Sequence, residues 1–454
     1  MMLRRLIMIA LLVVVAGFAT SFLIRQEGVT VVEWLGYRIE VRTSLLAVAG
    51  LVLIIAVVML DRMIGFLAGL PIRLSQGLKQ RRHDAGHQAL ALGLVAASVG
   101  DRREAGRQEK KARRLIGDGM LTSLLTAQVA TLDGKTDVAS KYFTELAESL
   151  DTAYFGQAGL MRLQLESGDD EAALAAGRAA FARKKNEPTL ARALFTLEAR
   201  RGNWPEAITA LAVARRASSD EKERQTADMA MAVLHYSHAL DLDAGGQHTA
   251  ALKSLEKGLS YAAGLVPAAV MAARLYQEQN SNRKAVSTLE KAFIETPHPD
   301  LGEALMEVLS GDTNKRLTRI MHLADKGGNT PEALVIAAGY ATQLELWGEA
   351  LRLIGMIDEA DRDAAAWSLL AEIARHAPVP KNSDKNKVSS TETEDAASKK
   401  VMSWPDAETC LTRAATARRA PAWHCRSCGV TATEWQTTCS GCGSFASMTW
   451  RQAR

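Results

Sequence analysis

Cys425-Arg426-Ser427-Cys428-Gly429 and Cys439-Ser440-Gly441-Cys442-Gly443, with ten residues between Cys428 and Cys439, are the segments of this chain best suited to chemistry. Each CxxC sets two thiolates on one tight turn. The glycine after the second cysteine allows the left-handed backbone that such turns often need. Two turns supply the four soft ligands of a tetrahedral metal site at Cys425, Cys428, Cys439 and Cys442. Zinc is the favoured ion and iron the alternative, since a tetrahedron of thiolates suits both. Disulfides or free thiols are the competing reading, which a reducing compartment disfavours. A closed set of four thiolates leaves no open coordination position, so the site is expected to be structural, with no catalytic residues and no enzyme activity. Cys410 falls on a helical-looking segment and reads as a spare thiol. His424 adjoins the first ligand but is not needed where four cysteines suffice. Trp423, Trp435 and Trp450 read as the cover of a small domain over residues 422–450, which has little core without its metal.

The elements that must carry this site are helical. Ala and Leu dominate a chain that is 48% hydrophobic but only 5% aromatic, and eleven prolines in 454 residues leave room for long helices. Glycine at 100, 134, 168 and 202 recurs every 34 residues, and each is followed five residues later by Ala105, Ala139, Ala173 or Ala207. The phase restarts with Gly246 and Ala251, then Asn280 and Ala285. This period is that of tetratricopeptide repeats, pairs of antiparallel helices. Glycine or asparagine ends the first helix of a pair, where left-handed backbone costs little. The small alanine lets the second helix approach closely. Pro188, Pro267 and Pro297 are expected to stop second helices. Residues 300–330 keep little of the pattern, which returns in Trp347-Gly348-Glu349-Ala350. About seven pairs are expected between residues 83 and 376, stacked with a concave face suited to protein partners. His235, His238 and His248 are not grouped as ligands, and Trp204 and Trp347 read as packing residues at interhelix turns. No GxxxxGK[ST] or GxGxxG loop occurs, so nucleotide and flavin chemistry lack their usual cradles. No nucleic-acid partner is expected. Residues 377–403 are polar and charged, and are expected to form a flexible tether that decouples the array from the C-terminal segment 404–454.

The N-terminal residues 1–70 read as a membrane anchor. Apolar runs at about 6–24 and 44–60 approach the length of spanning helices. A cleaved signal peptide competes for the first. Residues 62–114 hold twelve Lys/Arg against four Asp/Glu. Positive residues after the second run place both termini on the cytoplasmic side of a bacterial inner membrane, with the loop outside. Arg73, Lys79, Arg81 and Arg82 are then placed to meet anionic lipid headgroups. Alternation through Val29, Val31, Trp34, Tyr37, Ile39 and Val41 predicts a β-hairpin turning near Leu35-Gly36. The expected fold class is therefore all-α: two transmembrane helices, a tetratricopeptide array over 71–376, and a small rubredoxin-like or zinc-ribbon knuckle.

Two apolar runs joined by a short loop, followed by DRMIGFLAGLPIRLSQGLKQRRHDAGHQALALGLVAASVGDRREA, resemble the HemY N-terminal family over roughly residues 1–376. The tail WHCRSCGVTATEWQTTCSGCGSFASMTW is similar to the knuckle of alphaproteobacterial members and to that of LapB-type lipopolysaccharide-assembly proteins. The resemblance implies a membrane-bound repeat protein associated with haem (tetrapyrrole) biosynthesis. It carries no catalytic residues, and only Cys425, Cys428, Cys439 and Cys442 map onto a family site. An unrelated flavin-dependent oxidase shares the HemY name, but its glycine loop is absent here. The leading expectation is a scaffold or adaptor for tetrapyrrole enzymes at the cytoplasmic membrane face. A LapB-like adaptor controlling envelope synthesis through proteolysis is the alternative, and a tetrapyrrole-handling or redox protein is the alternative of another class.

Overall fold

The computed structural model describes residues 18, 21, 29–34, 37–377 and 406–452. Tertiary contacts divide the chain into two units, residues 1–142 and 143–454. The first unit opens with an antiparallel hairpin of β1 (Val29–Trp34) and β2 (Tyr37–Arg42), with Trp34 opposite Tyr37 as the alternation predicts. It continues into α1 (Thr43–Ser98), α2 (Arg102–Ile116) and α3 (Met120–Leu132). Ala89, Leu90 and Ala96 of α1 pack with Ala105, Ala112, Leu125 and Val129. Gly93 is required for that approach: a Cβ there would lie 2.6 Å from the Leu125 side chain and 3.3 Å from Gln108.

Here the structure corrects the sequence. Among the described residues no helix is long and apolar enough to cross a membrane. The second expected span, 44–60, is the start of a 56-residue helix that runs unbroken through Asp61 and Arg62. An apolar run of that length rises roughly 25 Å as a helix, short of the about 30 Å hydrocarbon core. The first run, 6–24, lies outside the described residues but for Phe18 and Ser21. The two-span anchor, the multi-pass inner-membrane location, the cytoplasmic orientation and the lipid contact of Arg73, Lys79, Arg81 and Arg82 lose their basis with it.

Helix α4 (Thr136–Glu148) crosses the division between the units. The helices of the second unit form an array of antiparallel pairs: α5 (Ala153–Ser167) with α6 (Asp170–Arg183), α7 (Pro188–Arg201) with α8 (Trp204–Ala217), α9 (Glu221–Ala244) with α10 (His248–Tyr261), and α11 (Val266–Glu278) with α12 (Asn282–Glu295). It continues through α13 (Pro299–Val308) with α14 (Thr313–Lys326), and α15 (Pro331–Gln343) with α16 (Trp347–Gly355). The repeat logic is local. Gly168 caps α5 in the left-handed region at φ 79°, its N–H reaching Gln164 and Leu165 carbonyls, and the Asp169 side chain then accepts the Ala172 N–H to start α6. Ala105, Ala139, Ala173, Ala207, Ala251 and Ala285 are all wholly buried, as close helix approach requires. Pro188 and Pro267 sit in the first turns of α7 and α11, so they start the next pair instead of stopping the last helix.

Residues 300–330, which keep little of the sequence pattern, nevertheless form the pair α13–α14. Gly311 takes φ 110°, and the residue five further on is Arg316 instead of alanine. Arg316 is half-buried there, with its guanidinium donating to the carbonyls of Gly311 and Met306 at 3.2 and 2.8 Å. The last first-helix, α17 (Ala364–His376), is partnered by α18 (Ala407–Thr416), from beyond the expected tether. That tether, 377–403, lies outside the described residues but for Ala377. Whatever its path, the segment after it is not decoupled. The Arg413 guanidinium meets Glu359 and stacks 4.8 Å over Trp367, while Arg418 pairs with Asp361 at 2.8 Å and its carbonyl accepts the Ala364 N–H.

Candidate metal centre and its seat on the array

The knuckle is built from two matching turns on a three-stranded sheet of order β4-β3-β5: β3 (Ala422–Cys425), β4 (Thr431–Ala432) and β5 (Met448–Arg451). In the first turn the Gly429 N–H donates to the Cys425 carbonyl at 3.0 Å. In the second the Gly443 N–H donates to the Cys439 carbonyl at 2.9 Å. Gly429 and Gly443 take φ 77° and 69°, the left-handed backbone expected of them. The turns aim amides at sulfur: Ser427 N lies 3.3 Å from Cys425 Sγ, and Gly441 N lies 3.4 Å from Cys439 Sγ.

The four sulfurs of Cys425, Cys428, Cys439 and Cys442 lie within 4.8 Å of one another, with Cys425–Cys442 and Cys428–Cys439 each at 3.7 Å. A tetrahedron with metal–sulfur bonds of about 2.3 Å has edges of about 3.8 Å, so this cluster could coordinate a metal ion. Cys425 and Cys439 are buried and Cys428 and Cys442 exposed. The electrostatics favour a cation. The Ser447 hydroxyl, 3.2 Å away, with amides behind it, holds the Cys425 thiol down to about 5, and Ser444 lowers Cys442 in the same way. At Cys428 the Val430 amide favours the thiolate, but the sulfurs of Cys442, Cys425 and Cys439 oppose a further negative charge and push it up to about 12. All four could be thiolates together only around a positive ion.

Cys410 is buried on α18, outside the converging set, and its thiol is pushed up by burial. His424 is buried, and its Nε2 has no hydrogen-bond partner among the described residues. Elsewhere His235 faces Ser254 at 3.2 Å and His248 faces Asp243 at 2.6 Å, separate pairs with no shared centre. Trp204 is a packing residue, donating its indole N–H to Asp241 at 2.6 Å.

The aromatic residues of the knuckle are where sequence reasoning fell short. Trp423, Trp435 and Trp450 do not merely cover the small domain; they seat it on the array. Trp435 stands edge-on to Tyr236 of α9 at 5.4 Å, and Phe445 edge-on to Phe195 of α7 at 5.9 Å. Trp423 and Trp450, paired across β3 and β5, flank His298, the N-cap of α13, at 5.2 and 4.1 Å. His298 is buried, and its Nδ1 accepts the Asp300 N–H at 3.1 Å, which fixes the neutral tautomer with the proton on Nε2. Burial, the main cause, lowers its pKa. Trp423, Cys425, Cys439, Ala446 and Met448 thereby join the hydrophobic core of the array. The available signal was an excess: four large rings in a segment too small to bury them by itself.

Residues 28–134 match the family described as HemY protein N-terminus. The match ends far short of residue 376, and the membrane-bound, multi-pass build that came with the resemblance is not found among the described residues. The expected membrane anchoring of a haem-biosynthesis scaffold is corrected accordingly; a helical-repeat architecture remains. No curated protein matches the chain. Among solved structures it is similar to MamA at 17% identity, covering 37% of this chain and 92% of that one, with a TM-score of 0.23. It is also similar to a tetratricopeptide repeat protein from Parabacteroides merdae at 15% identity, covering 60% and 98%, with a TM-score of 0.27. The repeat domain of P58(IPK) gives 16% identity over 56% and 77%, with a TM-score of 0.23. At such scores the repeat architecture rests on the helix pairs themselves.

Proposed function

We propose that this chain is a helical-repeat adaptor that binds a protein segment on the face formed by the first helices of its pairs, and that one zinc ion folds its C-terminal knuckle. The observation that carries the reading is the seat itself: Phe195, Tyr236 and His298 on that face already hold a folded polypeptide segment. Phe195 also borders a cavity of about 490 Å³ between α7, α8 and α9, whose rim carries Arg192, Arg215, Lys222 and Glu223. An apolar floor with charges of both signs around it suits a peptide better than a small apolar ligand. The ion has a structural part in this reading, because four thiolates leave it no open position for a substrate. Zinc is favoured over iron as the borderline-soft, redox-inert ion of closed thiolate sites.

A photo-crosslinking residue placed at Thr196, on the rim of that cavity, tests the adaptor reading in the full chain. Discrete adducts with a partner protein are expected, and Phe195→Ala should weaken them. Absence of any partner adduct both with metal bound and after its removal by a chelator would end the reading.

A further inference from the structure

We infer that the metal knuckle is a removable cover on the array's own binding face, closed while the metal is bound and released when it is lost; this rests on the reading of that face as protein-binding. Three of the four anchor rings sit close in sequence to a ligand, and the fourth, Trp450, is paired with Trp423 across β3 and β5. Trp423 is two residues before Cys425, Phe445 three after Cys442, and Trp435 lies between Cys428 and Cys439. Their joint spacing, which matches Tyr236, Phe195 and His298 at once, is therefore set by the metal-centred turns. The sheet beneath them cannot set it alone: β4 has two residues, and β3 and β5 have four each. So short a segment does not hold its fold without the ion. Metal loss separates the four rings and turns one multivalent seat into four weak contacts.

The segment would not drift away when released. Its root is fixed by different chemistry, the helix pair α17–α18 with the Arg413–Glu359 and Arg418–Asp361 ion pairs, none of which touches the sulfurs. A released knuckle stays tethered beside its seat at high effective concentration, so closure follows directly when the metal returns. The surface uncovered is aromatic, with Phe195 and Tyr236 carried on the first helices α7 and α9 and His298 at the N-cap of α13. A competing partner would be an extended segment that presents its own aromatic residues.

The test is hydroxyl-radical footprinting of the full chain in three states: zinc-loaded, treated with a chelator, and reloaded with zinc. Oxidation at Tyr236 and Phe195 should rise several-fold on chelation and fall back on reloading. Phe293, wholly buried in α12, should stay unlabelled throughout. A Trp435→Ala/Phe445→Ala double variant should show the same exposure while still holding zinc, which separates undocking from unfolding of the knuckle. Unchanged labelling of Tyr236 and Phe195 without metal would overturn the inference. So would labelling that spreads to Phe293, because the knuckle would then be an integral part of the core. Absence of any partner protein would leave these labels as they are, so failure of the adaptor reading is distinguishable.

Discussion

Trp435 of the knuckle stands nearly perpendicular to Tyr236 of α9, with 5.4 Å between ring centroids and 84° between planes. Edge-to-face pairs of this kind contribute about 0.5–1.5 kcal/mol beyond the area they bury. Trp435→Ala and Tyr236→Ala should therefore each loosen the knuckle, and the double variant should cost less than the sum by about 1 kcal/mol. Chemical unfolding of the four proteins measures this. Strict additivity would mean that the two rings do not share an interface.

Ala207, wholly buried where α8 meets its neighbours, is the clearest test of the repeat register. Ala207→Arg forces a charged side chain into packed helices and should cost more than about 2 kcal/mol. An unchanged melting temperature of the full chain would place Ala207 at the surface and break the assignment.

His235 makes the array sensitive to acid. It is buried on α9 between Ser254 and Tyr261, and burial, assisted by Lys257 and His238, lowers its pKa to about 4. The unfolded chain therefore takes up the proton first. The stability that neutral His235 confers is complete above about pH 6.5 and is lost as pH falls from there to about 4, a change of about 3 kcal/mol. His235→Gln should flatten that part of the stability–pH curve. Parallel curves for the two proteins would show that His235 is not titrating in a buried site.

The features legible in the sequence were those fixed by local backbone demands. The glycine after each CxxC and the glycine–alanine pairs 34 residues apart serve turns and close approaches that a few neighbouring residues define. The contacts of Phe195 with Phe445, or of buried Glu198 with Arg178 at 2.7 Å, leave no periodic trace, because the partners come from different elements. The α13–α14 pair was hidden because Arg316, which donates to the Gly311 and Met306 carbonyls, stands where the other pairs carry the alanine that marks the period. The apolar run at 44–60 misled for a related reason. Composition within a window says that a segment avoids water, but not where the helix carrying it ends, and α1 continues to Ser98.

The metal content of the full chain, purified under reducing and anaerobic conditions, tests the central assignment most directly. Element-specific mass spectrometry should find one zinc ion per chain, retained in Cys410→Ser and lost in Cys428→Ser. No bound metal, or full retention after Cys428→Ser, would contradict the account.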